Sequence, residues 1–427
     1  MKSLIEKHPK QQLAEIMGRL YTYSLTTTSG GNLSVRGRDG IIWITPGGVD
    51  KANLSADDMI RITKDGHPEG NHSPSIETAF HKEIYNVRED AGGVIHAHAP
   101  ASSAFCINRN APDLKVIPQI YLECGDAVTS GYAAPGSSLL SEKLSVKVKE
   151  GYNAVLLDNH GLVTMGKDLL HALQRFEALD VCARSILNAK CIGEPSQAGP
   201  GSLKLLAEQM SRSYESFDSR NEYAEMRKEL SKISRRAYTR RLMTSSLGSI
   251  SIRVGRDEFL ITPFGKDRYA LDPSDIVLVK GDKTEADKQP DLWTGLHAAI
   301  YREHPNFNSI MTAVPPSAMA FAVTGKPFNT RTLTEGYVLL RDIHRIGLAD
   351  TLSKPVESAK ELHENAPVQL VSHGGIIAAG TTMLEVLDRI EVAEVSMRSA
   401  LWSERLGGTQ SLNDQEIHEI KDFFGLG

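Results

Sequence analysis

The chain has 427 residues, 41% of them hydrophobic, with 53 acidic against 48 basic side chains and a formal net charge of -5. That length accommodates two cores of roughly 200 residues each. Charges of both signs are interspersed without a basic block, which argues against nucleic acid as a partner, and no apolar run approaches the ~20 residues of a membrane span. In chain order, an amphipathic helix is expected near 11–23, followed by the turn-rich TTTSGGN, the strand LSVRG and the strand GIIWIT, which ends at Pro46-Gly47-Gly48. Ser73-Pro74-Ser75 reads as a capped helix start with proline in the first turn, the helix running through Glu77 to about Val87. Gly92-Gly93 breaks it. GGVIHAHA then reads as a buried strand, SSAFCIN as a helix, AVLLD as a strand and DLLHALQRFEALDVCARSILNAK as a long amphipathic helix, with a linker at 193–202. Helices and strands without regular βαβ alternation predict an α/β fold with a largely antiparallel central sheet flanked by helices.

The second half repeats the first at an offset of roughly 216 positions. SGGNLSVR matches SLGSISIR, WITPGGVD matches LITPFGKD, SIETAFHKEIY matches DLWTGLHAAIY, and LLDNHGLVTMG matches LVSHGGIIAAG. Two tandem domains follow, 1–205 and 215–427. The match pairs His81 with His297 and Tyr85 with Tyr301, but puts Thr312 at His96, Val314 at His98 and Trp293 at Glu77. His373 is read as facing His160, so one of four metal-competent side chains survives in the copy.

Those four side chains carry the chemistry. On a strand, residues two apart share a face, so His96 and His98 can approach one cation while Ala97 points away. An isolated pair of this kind is more often hydrogen-bonded core than a ligand pair. His160 adds a third imidazole, at the polar turn Asp158-Asn159-His160-Gly161. Glu77, in the first turn of its helix, adds a carboxylate favoured by the helix dipole. Three histidines and a carboxylate suit zinc with one displaceable position. The joint loss of ligands in the second copy makes it an internal control.

SGGNLSVR, ITPGG, SPSIETAFH, VIHAHAP and DNHGLV, in this order, resemble the class II aldolase/adducin family over about residues 1–200, with 215–427 a degenerate second copy. The resemblance implies zinc held by His96, His98 and His160, with Glu77 on or near the metal as acid/base. It implies a zinc-dependent lyase of the fuculose-1-phosphate type, cleaving a ketose phosphate or related sugar-acid phosphate, with phosphate held by Gly31, Asn32, Gly47, Gly48 and Ser75. Independently of the resemblance, the four cysteines lack CxxC spacing and the N-terminus lacks an apolar secretory stretch, from which a reducing cytoplasm is expected. Two features depart from the pattern: the family's paired serines read Ser75-Ile76, and its tyrosine acid has Tyr121 as nearest counterpart, expected on a strand. A dehydratase or decarboxylase shares the zinc histidines, a 4-epimerase pattern carries Asp at Glu77, and an adducin-like interaction protein would keep the fold without ligands. The fourfold ring typical of family aldolases implies a homodimer of tandem chains, with Arg331, Glu335, Tyr337 or Arg341 of the copy as candidate contributors.

Overall fold

In a computed structural model, which describes residues 3–219 and 222–426, the chain divides into two compact units. One contains the residues up to Leu114 together with Ile120–Arg184; the other takes Lys115–Gln119 and the chain from Ser185 onward. The first holds eight strands, β1 (Asn32–Arg36), β2 (Ile42–Ile44), β3 (Ile60–Ile62), β4 (Pro68–Glu69), β5 (Gly93–Ala97), β6 (Ala127–Thr129), β7 (Ala154–Leu156) and β8 (Leu162–Gly166). Their order is β4-β3-β2-β1-β5-β8-β7-β6, antiparallel except for the parallel β6–β7 pair.

Nine strands form the second sheet: β9 (Glu215–Phe217), β10 (Ser249–Gly255), β11 (Glu258–Ile261), β12 (Val277–Lys280), β13 (Lys283–Glu285), β14 (Ser309–Ala313), β15 (Ile343–Ile346), β16 (Val368–Val371) and β17 (Gly375–Gly380). Read from β13 to β15 the order is that of the first sheet, with β9 added in parallel at the edge beside β13. Asn32 pairs with His96 across β1–β5, and Ser249 pairs with Thr312 across β10–β14, so the registers coincide at the site. Among the described residues no helix is long and apolar enough to cross a membrane.

Alternation along β5 sets the two faces. Val94 points into a core made with Phe80, Ile84 and Tyr85 of the helix Thr78–Val87 and Leu140, Leu144 and Val148 of the helix Ser138–Lys149. His96, two residues on, shares that face and meets the Phe80 ring edge-on at 5.7 Å. The long helix Leu169–Ala189 covers the opposite face, where Thr164 Oγ1 donates to Ala172 O at 2.9 Å.

Several local expectations change. The helix begins at Thr78, with Glu77 as its N-cap rather than inside its first turn. A tight turn precedes it, because Thr78 N–H donates to Ser75 O at 3.0 Å, so Ser75 stands outside the helix. His98 lies just beyond the end of β5, and Tyr121 sits on the helix Pro118–Cys124, opened by its proline, rather than on a strand. His373 does not face His160. Its N–H donates to Ala322 O as that of Asn159 donates to Cys106 O, and both residues are left-handed, at φ 60 and 56. Gly374 then closes its turn onto Val371 O at 2.9 Å as His160 does onto Leu157 O at 3.0 Å, so glycine stands at the His160 position and all four candidate ligands are gone from the copy.

Gly92 and Gly93 are close-approach residues rather than simple breakers. A Cβ on Gly93 would lie 2.5 Å from Leu169 Cα, where the long helix crosses β5. Gly93→Ala is expected to cost about 1–3 kcal/mol through overpacking, measured as a lower denaturation midpoint at unchanged slope.

Candidate metal centre and active site

Three elements bring four side chains together: the end of β5 supplies His96 and His98, the β7–β8 turn supplies His160, and the helix cap supplies Glu77. His98 Nε2 lies 3.1 Å from His96 Nε2, His96 Nε2 lies 3.4 Å from Glu77 Oε2, and His160 Nε2 lies 3.3 Å from Glu77 Oε1. Donors about 2.0–2.1 Å from a tetrahedral ion sit ~3.3 Å apart, so these separations match the edges of such a polyhedron. One donor atom from each histidine lies within 4.8 Å of the others, and the described residues contain no other such cluster of three or more His, Cys, Asp or Glu side chains.

The electrostatics favour a cation. Burial holds the His96 imidazole well below its ordinary value, helped by the neighbouring His98 and His160, and lowers His98 and His160 as well. The rings are thus kept neutral, the form that binds metal. Burial pushes the Glu77 carboxyl up, against the Asn32 hydrogen bond and the His160 ring, which draw it down. Glu77 Oε1 and His160 Nδ1 are buried with no hydrogen-bond partner among the described residues. His96 Nδ1 faces Leu162 O at 3.1 Å, which fixes the proton on Nδ1 and turns the Nε2 lone pair to the centre.

Behind Glu77 runs a buried chain of hydrogen bonds. Asn32 Nδ2 donates to Glu77 Oε2 at 2.7 Å and to Ser75 Oγ at 3.0 Å, so its Oδ1 must accept, and it takes the Nε2–H of His81. His81 Nδ1 therefore accepts from Ser34 Oγ at 2.6 Å, and Ser34 accepts from the Tyr85 hydroxyl at 2.8 Å. Burial lowers His81 to about 3, which keeps the ring neutral as this polarity requires. The second unit keeps Tyr301, Ser251 and His297 in the same order at 2.7 and 2.8 Å, but ends on Ser249 and Thr312 with no carboxylate. The Tyr-Ser-His segment is scaffold; Asn32 is what couples it to Glu77.

The candidate phosphate residues separate into two groups. Asn32 and Ser75 touch Glu77 directly or through each other, as described. Gly31 is a packing residue: at φ +73, a Cβ would stand 2.7 Å from His96 O. Gly47 commits its N–H to Ser73 O at 3.0 Å, so that amide belongs to the loop and not to a ligand. Gly48, at φ +68, borders open space. Two glycines were not singled out by spacing alone. A Cβ on Gly161 would fall 2.5 Å from His98 Cδ2 and 3.0 Å from His96 Cε1, and one on Gly30 would fall 2.8 Å from His98 Nδ1. Leu247 stands at the Gly30 position in the copy and is buried, as is Val314 at the His98 position, and that exchange of glycine for leucine is the signal the sequence carries.

A family model described as Class II Aldolase and Adducin N-terminal domain matches residues 11–187 and again 228–401. The chain belongs to this family and carries its domain twice. It is 31% identical over 216 residues to a 5-methylthioribulose-1-phosphate/5-deoxyribulose-1-phosphate aldolase of Rhodospirillum rubrum, covering 50% of this chain and 93% of that protein. It is 30% identical over 179 residues to a 3-oxo-tetronate 4-phosphate decarboxylase of Haemophilus influenzae, covering 41% of this chain and 85% of that protein. An L-fuculose phosphate aldolase of Escherichia coli is 31% identical over 187 residues, covering 43% of this chain and 85% of its own length.

Elemental analysis after dialysis is expected to find about one zinc per chain, as a single three-histidine site implies. His96→Ala, His98→Ala and His160→Ala should each lose it, whereas His373→Ala should retain it. Gly161→Ala should weaken the metal about 10–100-fold by displacing both imidazoles, read from competition with a chelator.

Proposed function

We propose that the first unit is a zinc-dependent lyase that cleaves a ketose 1-phosphate, or a related sugar-acid phosphate, by retro-aldol chemistry. The observation that carries this reading is the set of ligand-like separations among His96, His98, His160 and Glu77, whose Oε1 is left without a hydrogen-bond partner. A bound zinc would supply Lewis acidity toward a substrate carbonyl oxygen. The protein's own contribution begins with three imidazoles kept neutral by burial, complete at His96 and partial at His98 and His160, with the His96 tautomer fixed by Leu162 O.

Glu77 is assigned the proton transfer. When the carbon–carbon bond breaks, the hydroxyl that becomes the aldehyde carbonyl gives up its proton to solvent, the bond's electron pair remains on the carbon next to the ketone carbonyl, and a carboxyl group must return a proton there. Burial raises the affinity of Glu77 for that proton, and the Asn32 amide fixes the orientation of one carboxyl oxygen while Oε1 stays free of any other hydrogen bond. Ser75 Oγ is assigned to the phosphate with the open Gly48 loop, while Asn32, its amide hydrogens committed to Glu77 and Ser75, positions both of those side chains. Decarboxylation is the second reading, supported by similarity to the Haemophilus influenzae decarboxylase. It leaves the electron pair on an equivalent carbon and asks the same service of Glu77.

Zinc-loaded protein offered ketose 1-phosphates is expected to release dihydroxyacetone phosphate, whereas carbon dioxide release from 3-oxo-tetronate 4-phosphates would select the second reading. Glu77→Gln should lower kcat about 10²–10⁴-fold on the accepted substrate, by steady-state assay. A wild-type protein free of metal would rule out both. We assign the tandem chain to a homodimer, for which sedimentation at micromolar concentration should return twice the chain mass.

A further inference from the structure

Lys51 is buried to 2% exposure on the turn after Pro46-Gly47-Gly48, and nothing in the site described above uses it. Its Nζ donates to Pro46 O and, among the described residues, has no other hydrogen-bond partner and no carboxylate partner. Burial alone draws its ammonium down to about 8. A buried ammonium without a counter-ion is costly, and such groups are retained where something answers the charge.

The second unit shows one way of answering it. Arg268 stands at the Lys51 position, and its Nη1 donates to Pro263 O at 2.6 Å as Lys51 donates to Pro46 O. Its Nη2 lies 2.8 Å from Asp291 Oδ2, with both side chains buried. Asp291 in turn stands at the Ser75 position. Pro290 bridges Pro263 as Pro74 bridges Pro46, and Asp291 Oδ1 accepts the Trp293 N–H at 3.2 Å as Ser75 Oγ accepts the Glu77 N–H at 3.3 Å. The unit that has lost its metal ligands thus carries a built-in carboxylate, held by a cation and a backbone donor. The unit that keeps the ligands has the cation and the backbone donor but a hydroxyl in place of the anion.

We propose that Lys51 is the counter-ion of the substrate's phosphate group, which lies against Ser75 where the second unit carries the Asp291 carboxylate. The assignment rests on the sugar-phosphate reading above. It gives the recognised group a negative charge, because a neutral hydroxyl on the substrate would leave the buried ammonium as poorly answered as before.

The zinc-loaded full chain is titrated with inorganic phosphate by calorimetry. Wild type should bind phosphate saturably, Lys51→Met should weaken that binding at least about tenfold, the scale of one charge-assisted contact, and Lys51→Arg should preserve it. Zinc content should be the same in all three. Ser75→Asp, which recreates the ion pair of the second unit, should abolish phosphate binding and raise the melting temperature, and it decides the matter if Lys51→Met does not fold. Wild-type phosphate affinity in Lys51→Met or in Ser75→Asp, or no phosphate binding by wild type, overturns the assignment. Phosphate binding that depends on Lys51 in a protein that cleaves no sugar phosphate would refute the proposed reaction and leave the counter-ion standing.

Discussion

The antiparallel pairing of β1 with β5, in the register that sets Asn32 opposite His96, is the constraint on which the site depends. Side chains alternate with a period of two, so a one-residue slip would send His96 into the face covered by the long helix and Asn32 away from Glu77. Glycines on three sides permit the close approach this pairing needs: Gly31 under the His96 carbonyl, Gly93 under the long helix, and Gly161 beside both imidazoles. None of these positions tolerates a Cβ without movement of backbone or ring.

Polar groups buried around that pairing are satisfied in one direction only. Glu77 accepts, so Asn32 must present its amide; Asn32 then accepts from His81, and the order continues to Tyr85. A network with one consistent polarity rigidifies what it touches, since each reversal would leave an unpaired buried group. Its persistence as Tyr301, Ser251 and His297 in the second unit separates the part that holds helix to sheet from the part that serves the carboxylate.

The second unit is informative because it differs where chemistry would demand and agrees where packing would. Thr312, Val314, Trp293 and Gly374 stand at the four ligand positions, and a buried Leu247 stands where Gly30 allows the close approach of His98. Thr312 and Ser249 satisfy each other at 2.7 Å, so the vacated polar positions are closed rather than left for an ion. The exchange of Ser75 for Asp291 and of Lys51 for Arg268 follows the same logic, with an internal ion pair where the first unit has a buried cation without a counter-ion.

The alternation of apolar and polar residues and the repeated motifs determined the duplicated, mostly antiparallel architecture, because strand periodicity and helix amphipathicity are local properties readable from the chain. The loss of His96, His98 and Glu77 from the copy was legible too, because aligned residues report substitution directly. Tertiary structure decided the rest. It placed Gly374 rather than His373 at the His160 position, through backbone hydrogen bonds that no spacing displays. It committed the Gly47 amide to Ser73, set Glu77 as a cap, and joined Asn32 to His81 across 49 residues. It also showed Lys51 to be buried without a counter-ion, since the environment of a charge is set by segments distant in sequence that only the fold brings beside it.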